Sequence, residues 1–135
     1  MLSPAARPAR MFSAMLLSGV AYVLSSPSAL PQASQDADGQ QAFNNACRTC
    51  HIVRQGENRL GPNLHGIVGR KAGSLPDYAF SSAMREAGFV WDAEKLDRFI
   101  ANPDEVVPGN RMKPYGGLAS SDERKKIIAF LTQPR

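Results

Sequence analysis

Two cysteines and a histidine stand together in Cys47-Arg48-Thr49-Cys50-His51. These residue types at this spacing suit the covalent attachment of a haem. Each thiol can add across one vinyl group of the porphyrin to form a thioether. The two intervening residues set the sulfurs beside the two vinyls, and His51 then comes up under the iron as its proximal ligand. Other uses of Cys-x-x-Cys fit less well. A closed zinc site needs four ligands, and with two cysteines and two histidines in the chain it would require Cys47, Cys50, His51 and His65 together. The adjacent Cys50 and His51 would then have to reach one ion. A redox dithiol belongs where a strand meets a helix in an α/β pattern, and no repeated β-α unit is visible. A disulfide between them would close a tiny loop and stabilise little.

The elements that must position this pentapeptide read as short helices divided by glycine-rich loops, so the fold class is all-α. Asp38 to Ala46 forms a first helix that leads straight into Cys47. From Ile52 to Pro76 the chain carries Gly56, Gly61, Gly66, Gly69 and Gly73 with Pro62 and Pro76, and it has neither helical period nor alternation. So long a structureless loop is unusual in a compact domain. A large apolar cofactor accounts for it, because Leu60, Leu64, Ile67 and Val68 can pack on the haem. Phe80, Ala83, Met84 and Ala87 then share a helical face, with Gly88 placed to end it. Asp92 can cap a helix presenting Leu96, Phe99 and Ile100, which Pro103 stops. Val106 to Gly117 is loop. Ser120 and Glu123 stand at capping-box spacing before a last helix bearing Ile127, Phe130 and Leu131.

The chain has 135 residues, enough for one domain once a leader is set aside. Arg7 and Arg10 supply a positive start and Met11 to Leu24 an apolar run. That run suits a signal peptide and is short for a membrane span. Residues 1–33 are expected to be this leader, cleaved near Ser28, Ala29 or Ala33, with an uncleaved membrane anchor as the second choice. Residues 34–37 are expected to be a flexible linker and 38–135 the folded domain. The net charge of +4 includes Arg7 and Arg10; without them 14 basic residues face 12 acidic ones, a balance of +2. The near-neutral domain lacks a basic stripe with interleaved aromatics, which argues against a nucleic-acid partner.

An iron held by His51 needs a sixth ligand or an open site. Met1, Met11 and Met15 fall in the leader, leaving Met84, Met112 and the imidazole of His65. Met84 lies on an apolar helical face, where core packing explains it. Met112 follows Val107-Pro108-Gly109-Asn110-Arg111 on an extended loop able to bring a thioether to the iron. A neutral sulfur favours ferrous iron relative to a second imidazole and raises the reduction potential. Such a ligand suits an electron carrier and blocks the open position that a peroxidase or oxygen-binding site requires.

From about Asp38 to Leu131 the chain resembles a class I cytochrome c of the mitochondrial and bacterial c2 type. The resemblance rests on Asp38-Gly39 with Phe43, on Cys47 to His51, and on Gly61-Pro62-Asn63-Leu64-His65-Gly66 with Gly69-Arg70-Lys71. It continues through Trp91, Asn102-Pro103, Pro108-Gly109-Asn110-Arg111-Met112 and Ile127 to Leu131. It implies one haem c bound through Cys47 and Cys50, with His51 and Met112 as its axial ligands. It implies that Pro62 offers its carbonyl to the ring N–H of His51. Arg70, Tyr78, Trp91 and Asn110 are implied to hold haem propionates, and His65 to be a loop residue outside the ligand set. Gly39 and Phe43 are implied to cross the last helix near Ile127 and Phe130.

The chain also departs from that family pattern. Met84 stands where an asparagine is usual, Phe80 and Phe99 where tyrosines are, and Asn110 where a threonine is. The implied pocket is less polar and gives the Met112 sulfur fewer hydrogen bonds. Asp104 and Glu105 replace lysines, so the broad lysine ring of the mitochondrial proteins is largely missing. The resulting expectation is an exported, periplasmic, monomeric carrier of single electrons with no catalytic residues. Its partners would be larger redox proteins met in transient contacts: a quinol-cytochrome c reductase, an oxidase or a dehydrogenase. The alternatives are a peroxidase-like haem enzyme with an openable sixth site and a haem sensor module anchored through Met11 to Leu24.

Overall fold

The computed structural model describes residues 30–134, so all but the last four residues of the expected leader lie outside the described residues. Among the described residues there are five helices: α1 (Leu30–Ala46), α2 (Ser82–Glu86), α3 (Ala93–Ala101), α4 (Pro103–Val106) and α5 (Ser121–Thr132). Their only β pairing is an isolated antiparallel bridge between Lys71 and Val90. The domain is all-α.

α1 begins at Leu30 rather than Asp38, and residues 34–37, expected as a flexible linker, are helical. Ala33, Gln35 and Ala37 favour helix intrinsically, and Pro31 sits in the first turn, where its missing amide costs no bond. Gln133 also donates to the Asp36 carboxylate, tying this stretch to the far end of the chain. The segment is polar all round, so no apolar stripe betrayed it.

α1 packs on α5 at a close crossing. A Cβ placed on Gly39 would lie 2.7 Å from the Lys126 carbonyl oxygen and 2.9 Å from Phe130 Cβ. Only a residue without a side chain lets the two backbones approach so nearly. One turn on, the rings of Phe43 and Phe130 meet with centroids 5.3 Å apart. Ile127 at this junction is 0% exposed.

The remaining helices are short and capped. Ser81 Oγ accepts from Met84 N at 3.1 Å to start α2, which holds a single turn and buries Met84. This is shorter than the stretch from Phe80 to Ala87 suggested by periodicity. Asp92 Oδ1 accepts from Lys95 N at 2.7 Å to open α3, whose buried residues are Leu96, Phe99 and Ile100. Pro103 does end α3, yet it also begins α4, at a position where proline is favoured. Ser120 Oγ accepts from Glu123 N at 3.3 Å at the start of α5. Arg124 of α5 then reaches Asp97 of α3 with Nε–Oδ1 at 2.8 Å, and its Nη1 donates to the Leu118 and Ala119 carbonyls, both at 2.8 Å.

The long loop after His51 is held by backbone bonds to distant segments. Gly61 N donates to Cys50 O at 2.8 Å, Leu64 N to Ile52 O at 2.8 Å, and Trp91 N to Arg70 O at 2.9 Å. These bonds wrap the loop around the space where α3 and α5 turn their apolar faces.

Candidate haem site

The attachment pentapeptide hangs directly from α1. Cys47 N donates to Phe43 O at 2.8 Å and His51 N to Cys47 O at 2.9 Å, so the helical turn carries on through the motif. It delivers His51 to the interior, where it is 7% exposed. Its Nδ1 lies 2.8 Å from the Pro62 carbonyl oxygen. A carbonyl only accepts, so Nδ1 carries the proton and the Nε2 lone pair is left for a metal. Burial lowers the basicity of His51, outweighing the opposing effect of the Pro62 bond, and a neutral ring keeps that lone pair available. Gly61 backs the imidazole: a Cβ there would fall 2.4 Å from His51 Cε1 and 2.7 Å from Nδ1.

The Cys47 thiol is unlike the reactive thiol of a redox pair. Burial, and then the neighbouring Cys50, push the Cys47 thiol up to about 11. Dithiol exchange needs the opposite, a thiol whose ionisation is made easier.

A cavity of about 430 Å³ opens beside His51, and all nine residues singled out from the sequence border it. Leu64, Ile67, Leu96, Ile127 and Leu131 give it apolar walls drawn from the long loop, α3 and α5. The donor set fits a haem: two thiols for the vinyl groups, an imidazole nitrogen, and a thioether within one apolar space. Met84 borders the cavity as Met112 does, so position alone does not choose between the sulfurs. They differ in support: Met84 sits in α2 and is buried, whereas Met112 lies on the loop before α5.

The residues expected at the propionates separate into two groups. Trp91 is buried and stacked edge-on between Phe89 and Phe99, with centroids at 4.8 and 5.0 Å. Its indole makes no hydrogen bond to another described residue, which leaves its N–H for a cavity ligand. Arg70 Nη2 donates to Asn63 O at 2.7 Å, leaving its other donors uncommitted. Tyr78 spends its hydroxyl proton on Leu60 O at 2.9 Å.

Asn110 departs from the expectation. Its Nδ2 donates to Asp104 Oδ1 at 2.8 Å and to Val107 O at 3.0 Å, which uses both amide hydrogens. None remains for a propionate. Its Oδ1 instead accepts from Met112 N at 2.9 Å. His65 does not line the cavity.

Two contributors escaped the sequence reading. Tyr115 borders the cavity and donates its hydroxyl to Ile100 O at 2.8 Å, fixing the Met112 loop to α3. Burial pushes its phenol up to about 12. Asp104 anchors Asn110 and pairs with Lys113, which holds its carboxyl below the usual carboxylate range. Neither pairing has a local spacing that would announce it.

The family described as "Cytochrome C oxidase, cbb3-type, subunit III" matches residues 34–131. Cytochrome c2 iso-1 of Magnetospirillum fulvum is 40% identical over 96 residues, covering 70% of this chain and 96% of that protein. Cytochrome c type-1 of Ascaris suum is 37% identical over 95 residues, 70% of this chain and 84% of that protein. The solved structure of cytochrome cH from Methylobacterium extorquens aligns with a TM-score of 0.65 at 38% identity, covering 71% of this chain and 95% of that one. The family match over residues 34–131 takes in the attachment residues together with the long loop, α3 and α5 that wall the cavity. The chain therefore belongs to the class I monohaem cytochrome c family, electron-transfer proteins rather than enzymes, and it carries one haem c bound covalently through Cys47 and Cys50.

Proposed function

We propose that this protein is an exported carrier of single electrons with His51 and Met112 as its axial ligands. The ligand assignment is carried by the fastening of the Met112 loop, since Met84 also borders the cavity. The cavity receives the His51 ring, with its Nδ1 proton held by Pro62, and the thioether of Met112 on a separately fastened loop. The bound haem supplies a one-electron Fe(II)/Fe(III) couple. The chain's own residues orient the imidazole, present a soft sulfur and exclude water from the cavity with aliphatic walls. Met84, Phe80 and Phe99 add to that apolar lining where hydroxyl or amide groups would let water in. Trp91 and Arg70 offer N–H donors to propionates.

Export follows from the leader read in residues 1–33, with the folded part beginning inside α1, and from a haem attachment that suits a compartment outside the cytoplasm. Among the described residues no helix is long and apolar enough to cross a membrane. Partners are larger redox proteins in transient contact: a quinol-cytochrome c reductase, an oxidase or a dehydrogenase. Leu60, 78% exposed on the rim of the cavity, offers an apolar contact for them.

The test is the absorption spectrum of the oxidised and reduced protein. The weak far-red band of a sulfur bound to ferric iron should be present, vanish in Met112→Ala and persist in Met84→Ala. Its absence from the wild-type protein, or a high-spin ferric state with rapid cyanide binding, would replace the carrier by a peroxidase-like enzyme.

A further inference from the structure

Met112 sits on a stretch without regular secondary structure, between α4 and α5. Something other than a helix must hold it. Besides the bond of Tyr115 to α3, the loop is joined to the preceding helix, α4, through Asp104. Asp104 Oδ1 accepts from Asn110 Nδ2 at 2.8 Å, while Oδ2 pairs with Lys113 Nζ just beyond the methionine. Asn110, only 6% exposed, passes the constraint on through its Oδ1, which accepts from Met112 N at 2.9 Å.

We propose that Asp104 is a positioning residue for Met112, acting through the side-chain amide of Asn110. This rests on the ligation by Met112 proposed above. The chemistry lies in the two ends of an amide. An ionised carboxylate only accepts hydrogen bonds, as does the Val107 carbonyl on the same side. Together they require the NH2 end of Asn110 to face them, which turns the oxygen toward Met112 N. A flipped amide would set NH2 against that N–H and lose all three bonds. Without Asp104, one of the two acceptors that enforce the orientation is gone and the loop is joined to α4 less firmly. Asp104 is itself outside the cavity lining and its side chain is 55% exposed, so its removal leaves the apolar walls intact.

The experiment compares the rate at which imidazole displaces the native sixth ligand in ferric wild type, Asp104→Ala, Asp104→Asn, Asn110→Ala and the Asp104→Ala/Asn110→Ala double variant. Asp104→Ala should bind imidazole about five-fold faster, the factor for one hydrogen bond of ordinary strength. Asp104→Asn keeps an acceptor and should stay within about two-fold of wild type. The double variant should resemble Asn110→Ala alone, because both act on one link. The denaturation midpoint of Asp104→Ala should hardly move. Imidazole binding to Asp104→Ala at the wild-type rate overturns the proposal. So does a faster rate matched by an equal loss of global stability, since that is a structural role only. Met112→Ala, read by the far-red band, keeps the two ideas apart. If the band survives there, the ligation assignment fails; if it is lost while Asp104→Ala binds imidazole normally, the positioning role alone fails.

Discussion

Gly61 stands against the one imidazole on which the attachment motif depends, and replacing it by alanine isolates the steric part of that support. Its φ lies outside the left-handed region, so alanine meets no backbone objection. The obstacle is His51, whose Cε1 would lie 2.4 Å from the new methyl group. Carbon atoms in contact prefer about 3.5–4.0 Å, so the ring or the loop must retreat by about 1 Å. If the ring turns, the bond from Nδ1 to the Pro62 carbonyl, now 2.8 Å, breaks. If the loop retreats, the bond from Gly61 N to Cys50 O stretches instead. Overpacking a tight site costs about 1–3 kcal/mol, and a buried hydrogen bond adds about 1 kcal/mol. A loss of about 3 kcal/mol corresponds to a fall in Tm of roughly 12–24 °C for a domain of this size. The potential should also move upward, because a His51 that no longer donates to Pro62 is a poorer donor to ferric iron. Thermal unfolding followed by Soret circular dichroism reads the first effect and redox titration the second. Gly116→Ala is the control, since nothing lies within 4 Å of a Cβ at that position. A Gly61→Ala protein within about 2 °C of wild type, less than 1 kcal/mol would produce, and with an unchanged potential would refute the reasoning.

Gly39→Ala sets two effects against each other. Helix propensity favours alanine by about 1 kcal/mol, while the Lys126 carbonyl at 2.7 Å cannot yield without separating α1 from α5. Overpacking of about 1–3 kcal/mol should win, and guanidinium denaturation should place the variant below wild type; a rise in midpoint would mean the helices part easily. Asp92 gives a pH signature. Its hydrogen bond to the Lys95 side chain is the main cause of a lowered carboxyl, aided by the bond from Lys95 N. The stability this adds is complete above the ordinary aspartate value of 3.8 and is lost as the pH falls through the depressed one. The Tm advantage of wild type over Asp92→Asn should therefore hold to about pH 4 and shrink below it; an advantage independent of pH between 5 and 2 would count against the pairing.

What could be read from the chain divides by the range of the interaction. The attachment motif, the caps at Asp92 and Ser120 and the apolar faces of α3 and α5 are local patterns, and each was legible as such. The loop from Ile52 to Pro76 was legible by its glycines, because a chain without periodicity must find its packing elsewhere. The early start of α1 was hidden because its first turns carry no apolar stripe and gain support from Gln133 at the other end of the chain. The bonds of Asn110 were illegible for a related reason. Its type and place before Met112 suggest a donor for a propionate, and only the fold reveals that Asp104 and Val107 have already taken both hydrogens. Tyr115 was missed because its partner, the Ile100 carbonyl, is a main-chain atom that no residue type records.

The crossing of α1 and α5 also bears on the order in which the protein is made. Cys47 to His51 follow directly on α1, but Ile127 and Leu131, which complete the wall of the cavity, belong to the last helix. A chain emerging from its amino end presents both thiols long before the segment that will enclose them exists. Until α5 packs on α1, that side of the cavity stays open and both thiols can be reached through it. Truncation just before Ser121 should leave a chain that can be loaded but cannot close.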